Sequence, residues 1–102
     1  MKPRDAAWFK LRRRHLAIYP ECRACDSLAD PCVHHLTYRG GKRGEKERPG
    51  DVMTLCRGCH DDLHRDFAQT GEAPRSKRLH HFTIEWVETR QAQIAAIENP
   101  AM

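Results

Sequence analysis

The sequence lacks any long apolar segment. No hydrophobic run approaches the roughly 18 to 20 residues that a membrane-spanning helix needs, and the first stretch, MKPRDAAWFKLRRRH, is charged where a secretory signal would be apolar. Internal repeats, low-complexity tracts and a dimerisation heptad are also missing. We therefore expect a cytoplasmic protein that is a monomer and has no membrane partner.

The sequence also lacks an even number of cysteines. The chain has five cysteines, and two of the spacings are Cys-x-x-Cys. In a reducing compartment, this pattern favours metal ligation over a disulfide framework. Haem attachment, which the run CRGCH would also fit, is disfavoured because it usually requires export.

What the chain does have is charge. Its 102 residues are 39% hydrophobic and 31% charged, Lys plus Arg number 18 against 14 for Asp plus Glu, and the pI is near 9.0. A chain of this length forms one domain, residues 1–102, with one modest core. We therefore expect a single, moderately basic domain.

The hydrophobic periodicity predicts an α+β fold. Helical spacing predicts a first helix over about residues 4–18, a middle helix from Arg57 to about residue 70, and a last helix over 83–98 that Thr83 caps. The segments PCVHHLTY (31–38) and DVMTL (51–55) predict a β-hairpin with a long basic loop. The unit 22–68 is then strand, strand, helix, with one helix on each side and a linker at 71–77.

The two Cys-x-x-Cys pairs are the strongest signal. Cys22, Cys25, Cys56 and Cys59 form the four-thiolate set of a tetrahedral structural Zn²⁺ site. A compact site of this kind has roughly 15 to 20 residues between its pairs, whereas thirty separate Cys25 from Cys56, so the hairpin is an insertion. Cys32 is a spare, half-buried strand residue in this interpretation.

Four histidines point to a second metal site. His60 and His64 are four residues apart, so they lie on one face of a helix and can chelate one ion. Cys59 points about 100 degrees around the helix axis from His60 and can therefore bind a different ion. His34 and His35 are consecutive on a strand and therefore face opposite ways. One of the two can bind the ion while the other faces a substrate. The HH pair at 80–81 is interpreted as surface histidines.

Together, CRAC, VHHLTY and GDVMTLCRGCHDDLH, over roughly residues 22–64, resemble the HNH endonucleases. That family has a ββα-metal motif, here stapled by a four-cysteine zinc site. The resemblance implies that His34, His60 and His64 bind a catalytic divalent ion and that His35 is the general base. The family's middle Asn falls on Asp51, which the resemblance makes a residue that orients His35 or touches the metal.

The resemblance further implies a bacterial or phage-encoded enzyme that hydrolyses DNA to 5′-phosphate and 3′-hydroxyl ends, nicks one strand and needs no small-molecule cofactor. Imidazole ligands leave the metal open among Zn²⁺, Ni²⁺, Mn²⁺, Fe²⁺ and Mg²⁺. We predict that basic residues of the first helix and the hairpin loop contact DNA phosphates, namely Arg12, Arg13, Arg14, Arg39, Lys42 and Arg43.

Two other functions fit parts of the pattern. A zinc-stapled nucleic-acid-binding module without catalysis would explain the basic surface, but not the four histidines. A metalloprotease would explain HDDLH, with Asp61 in the position of the glutamate of His-Glu-x-x-His, but not His34 and His35.

Overall fold

The computed structural model describes residues 6–38 and 47–98 and has the α+β architecture that the sequence predicts. In chain order the elements are α1 (Ala6–Ile18), β1 (Pro31–His35), a short 3-10 turn (Pro49–Asp51), β2 (Val52–Cys56), α2 (Arg57–Ala68) and α3 (Leu79–Glu98). No helix in the described ranges is long and apolar enough to cross a membrane.

The two strands form an antiparallel hairpin that runs directly into α2. Their register pairs Pro31 with Cys56 at one end and His35 with Val52 at the other. Cys56 ends β2 and also caps α2, because its Sγ accepts a hydrogen bond from the backbone N–H of Cys59 at 3.4 Å. The second cysteine pair is therefore built into the junction between strand and helix.

Each face of the hairpin packs on a different helix. One face joins α2 and α3 in a cluster that includes the fully buried Leu55 and Leu63, and each such leucine contributes about 1.5 to 3 kcal/mol. The other face packs Val33 and Val52 against Trp8 of α1. Because side chains alternate along a strand, neighbouring residues of β1 serve different clusters.

Helix α1 is tied to the hairpin by polar as well as apolar contacts. The guanidinium of Arg12 donates to the carbonyl of Pro31 at 3.2 Å. The helix ends at Ile18, just before Pro20, which cannot continue it. Just beyond that end, the Tyr19 carbonyl accepts a hydrogen bond of 2.7 Å from the hydroxyl of Thr54 on β2.

Helix α3 begins earlier than the sequence suggests. The prediction that Thr83 caps a helix over 83–98 is wrong, because the helix starts at Leu79 and Thr83 lies inside it. The buried positions of α3 are Leu79, Thr83 and Val87, spaced four apart along one face. Thr83 is therefore part of the face that packs on the core. His80 and His81, expected beside the helix, lie in its first turn and are exposed.

Contacts between α2 and α3 combine rings and ion pairs. The indole N–H of Trp86 donates to the carboxylate of Asp66 at 2.8 Å, and Arg90 pairs with Asp62 at 3.1 Å. These contacts fix α3 across α2, the helix that carries Cys59, His60 and His64.

Candidate metal centres

Four cysteines from three parts of the chain meet beside the start of α2. Cys22 and Cys25 follow α1, Cys56 ends β2, and Cys59 lies in the first turn of α2; their sulfur atoms all lie within 4.8 Å of one another. The first pair is held in a tight turn, in which the N–H of Asp26 donates to the Cys22 carbonyl at 2.8 Å. Asp26 has φ of 64°, a left-handed conformation that aspartate tolerates better than most residues.

Two thiols of the cluster have pKa values shifted in opposite directions. Burial, followed by a hydrogen bond with Cys56, raises the pKa of Cys59 well above its usual range. For Cys22, burial acts to raise the pKa, but backbone N–H groups of the site outweigh it and lower the pKa. Four sulfurs at this spacing match the tetrahedral ligand set of zinc, which would favour the thiolate form of all four. The cluster is thus a possible site for a structural metal such as zinc.

The fifth cysteine stands apart. Cys32 is half-buried on β1, where its Sγ lies 4.0 Å from the carbonyl oxygen of Asp30, and it does not belong to the cluster. This is the position expected for a spare strand residue.

Three histidines form a second cluster next to the first. His34 of β1 meets His60 and His64 of α2, and one ligand nitrogen from each lies within 4.8 Å of the others. The Nε2 atoms of His60 and His64 are 3.1 Å apart. The ring of His34 sits 5.4 Å from His60 and 5.1 Å from His64, nearly perpendicular to both. Such an arrangement can hold one metal ion with coordination positions left over.

These imidazoles are held in the form that binds metal. Burial first, and then the charges of His64, His60 and His35, lower the pKa of His34 to about 3. Burial also lowers the pKa of His60 and of His64. All three are therefore neutral at physiological pH, and a neutral imidazole offers a nitrogen lone pair to a cation.

His34 also forms a hydrogen bond with a residue of α3. Its Nε2 forms a 3.1 Å hydrogen bond with the hydroxyl of Thr83, and both side chains are essentially inaccessible to solvent, at 1% and 0%. Groups of this kind behind a ligand fix its tautomer and ring orientation.

His35 occupies a different environment on the other side of the strand. Its ring is stacked between Trp8, at 4.6 Å, and Tyr38, at 4.5 Å, with interplanar angles of 14° and 13°. Its Nε2 lies 3.1 Å from a carboxylate oxygen of Glu47. The guanidinium of Arg75 lies over the ring of Tyr38, with its Cζ 4.9 Å from the ring centroid.

Asp51 fastens the end of the loop to the end of β1. Its carboxylate accepts a 2.8 Å hydrogen bond from the backbone N–H of Arg48, and its backbone carbonyl accepts from Leu36 and Thr37. Asp51 is buried but is not a member of either ligand cluster found in residues 6–38 and 47–98. These hydrogen bonds hold the loop against the residues that follow His35, whereas orienting His35 and touching the metal stay predictions for Asp51.

The predicted DNA-contact residues have different surroundings. Arg13 and Arg14 are exposed on α1, whereas Arg12 is half-buried and bound to Pro31. The predicted contacts in the hairpin loop lie outside the described residues; they are Arg39, Lys42 and Arg43.

Sequence reasoning missed three residues of the site: Glu47 and Thr83, which contact histidines directly, and Arg75, which lies over the ring of Tyr38. Glu47 belongs to a run of alternating charges with no local feature that sets it apart. The position of Thr83 before an apolar periodic segment indicates a helix cap rather than a partner for His34. Arg75 lies in a segment typical of a linker, and only the tertiary fold brings it to Tyr38.

Comparisons with protein-family models, with curated proteins and with solved structures found no match to this chain. We therefore infer the function from the geometry of the two clusters.

Proposed function

We propose that this protein is a metal-dependent DNA endonuclease of the HNH type, with a ββα-metal core stapled by zinc. The observation that carries the proposal is the three-histidine cluster, formed by one strand residue and two residues one turn apart on the following helix. A fourth imidazole, His35, is the next residue on the same strand. The four-cysteine cluster at the start of that helix adds to the resemblance.

The proposed division of labour follows from phosphodiester chemistry. Hydrolysis needs a base to activate water and positive charge to stabilise the pentacovalent phosphorane and the leaving oxygen. His34, His60 and His64 would hold a divalent ion, which when bound supplies that positive charge. His35 takes the proton from the attacking water. Its ring is fixed on both faces by Trp8 and Tyr38, so it would need no reorientation before the reaction.

Basic residues support a polyanionic substrate. Arg13 and Arg14 are exposed on α1, the helix that stacks Trp8 on His35. Arg75 lies over Tyr38, and no carboxylate among the described residues pairs with it. Cations in these positions would contact backbone phosphates of a bound strand, independently of base sequence.

A cleavage assay tests the proposal directly. The protein is incubated with plasmid DNA and separately with casein, each with EDTA and with added Mg²⁺, Mn²⁺, Ni²⁺ or Zn²⁺, and the ends of any DNA product are mapped. We expect metal-dependent cleavage of DNA that leaves 5′-phosphate and 3′-hydroxyl ends, with casein intact.

The same assay separates the alternatives. Binding of DNA without cleavage in any of the metals would support the non-catalytic nucleic-acid-binding module. Cleavage of casein would support the metalloprotease, in which Asp61, an exposed residue beside His60, would have to act as the base. Either result would contradict the endonuclease proposal.

A further inference from the structure

We propose that Glu47 is a positioning residue for His35, which fixes the proton of that imidazole on Nε2 and leaves the Nδ1 lone pair as the base. The inference rests on the proposed function, since it assigns the atom that accepts the proton in that reaction. Glu47 is not part of the motifs that carry the resemblance and is not a candidate metal ligand in either cluster.

The contact between the two side chains is enclosed. Glu47 Oε1 lies 3.1 Å from His35 Nε2, and the side chains are only 4% and 7% exposed. A carboxylate is rarely buried to this extent without a partner. Its other oxygen, Oε2, is also buried and has no hydrogen-bond partner within the described part of the chain. The imidazole is therefore the main compensation for burying this carboxylate.

The direction of the hydrogen bond follows from the donor inventory. An ionised carboxylate has only acceptor atoms, so with Glu47 in that form the hydrogen atom in this bond belongs to the imidazole. In a neutral imidazole one nitrogen carries hydrogen and the other a lone pair, so a proton on Nε2 leaves Nδ1 free to accept one. Stacking on Trp8 and Tyr38 fixes the ring plane, and the carboxylate fixes rotation within that plane.

A rival role for Glu47 is charge balance. Glu47 also lines a cleft of about 410 Å³ together with Lys10 and Arg14 of α1. If it only offsets those cations, its neutralisation would strengthen DNA binding and leave the chemical step alone. A positioning role predicts the opposite split, with the loss in kcat and little change in KM.

The experiment compares Glu47→Gln with the parent protein, using the full chain loaded with zinc. Glutamine keeps the shape, but its amide can either donate or accept, so the tautomer is no longer imposed. The matched control is Glu85→Gln, because Glu85 forms a 3.0 Å contact with His81 on the surface, where the two side chains are 67% and 81% exposed. Thermal melting and zinc content verify that both variants are folded.

The first readout is the imidazole tautomer from long-range ¹⁵N–¹H spectra at one neutral pH, with the His35 signals assigned by a His35→Gln variant. We expect His35 of the parent and of Glu85→Gln to carry its proton on Nε2, and Glu47→Gln to lose that preference. The second readout is steady-state cleavage, in which Glu47→Gln should lower kcat about 10- to 100-fold with KM within about twofold of the parent.

Several outcomes would overturn the inference. They are a proton on Nδ1 in the parent, a tautomer and kcat in Glu47→Gln equal to those of the parent, or a change confined to KM. Failure of the proposed function is recognised separately, because a parent protein that does not cut DNA still gives the imidazole spectra. In that case the spectra alone decide whether Glu47 sets the position of the proton.

Discussion

At the scale of single residues, two adjacent imidazoles are given different chemistry by their surroundings. His34 is buried among other histidines and its hydrogen-bond partner is the neutral hydroxyl of Thr83. His35 lies between two aromatic rings, with a carboxylate at its Nε2. The first setting favours a neutral ligand, and the second favours a fixed acceptor of protons.

Removing the proposed base and removing a proposed metal ligand should therefore have different consequences. We expect His35→Ala to keep its metal content and DNA affinity but to cleave about a hundredfold to ten-thousandfold more slowly. His64→Ala should bind the divalent ion more weakly, so that part of its missing activity returns as the ion concentration is raised. The measurement is the cleavage rate of each variant over a titration of the divalent metal.

The control for this comparison is zinc content, which should be the same in both variants because neither histidine belongs to the cysteine cluster. Cleavage by His35→Ala at the rate of the parent, or its recovery in excess metal to the same extent as His64→Ala, would contradict the assignment of His35 as the base.

The cysteines allow a matched pair of substitutions. Cys56 joins β2 to α2, and its Sγ lies 3.7 Å from the Sγ of Cys25. Cys32, in contrast, is outside the cluster. We expect Cys56→Ser to lose most of its bound zinc and several kcal/mol of stability, because metal binding is coupled to folding. Cys32→Ser should do little. Metal analysis and chemical denaturation of both proteins provide the check, and a Cys56→Ser protein as stable as the parent would exclude structural zinc.

At the scale of elements, α3 contacts the histidine cluster through a hydrogen bond to His34. Its Thr83 is the only described residue that joins the third helix to the ring of His34 by a hydrogen bond, at 3.1 Å. We expect Thr83→Val to weaken metal binding at the three histidines by about 10- to 100-fold, the usual effect of removing a hydrogen bond behind a ligand. Calorimetric titration with Mn²⁺ or Ni²⁺, after zinc has filled the cysteine site, measures it.

The matched control for this prediction is Thr83→Ser, which keeps the hydroxyl and should keep most of the affinity. Equal affinities for the Val and Ser variants would mean that the hydroxyl does not orient the ligand. A loss of zinc from the Val variant would instead indicate general damage to the packing between α3 and α2.

Helix α1 is the element for which we predict phosphate contacts. Because Arg12 is bound to Pro31, the exposed pair Arg13 and Arg14 is the better test. We expect Arg13→Gln with Arg14→Gln to weaken DNA binding and to make the log-log salt slope shallower by about 0.9 for each phosphate that the protein no longer neutralises. Arg12→Gln is the contrast, since it should lower stability. A slope and an affinity equal to those of the parent would make the pair a solvated face.

The sequence predicts local relations better than distant ones. The Cys-x-x-Cys pairs, the one-turn spacing of His60 and His64 and the alternation of His34 with His35 are relations within a few residues, and short-range geometry determines them. Thr83 could not be assigned in this way, because its partner is forty-nine positions away. Its polar character suggested a cap, whereas the buried stripe of α3 makes it a core residue. The role of Glu47 could not be predicted either, because only the folded chain brings its carboxylate to His35.

At the scale of the whole molecule, a metal at the cysteine cluster would supplement a small core. The apolar cluster between the hairpin, α2 and α3 includes the buried cysteines Cys22 and Cys59 among its members. A metal such as zinc at this point would join the segment after α1 to the start of α2, and zinc of this type can contribute on the order of 10 kcal/mol to folding. A structural metal is one of the ways in which small domains compensate for limited apolar burial.

The number of three-histidine clusters limits how many phosphodiester bonds one molecule can cut at a time. The described part of the chain contains one three-histidine cluster, so one molecule would act on one phosphodiester bond at a time. We expect supercoiled plasmid to give nicked circles first, with linear molecules appearing only after a lag, and an initial rate that rises in direct proportion to protein concentration.

A second, simultaneous cut would require a second site, and with it a rate that rises more steeply than the first power of concentration. Gel electrophoresis over time and sedimentation velocity at assay concentration test both points, with His35→Ala as the inactive control. Linear DNA that forms without a lag, together with a dimer in sedimentation, would show that two copies cut together.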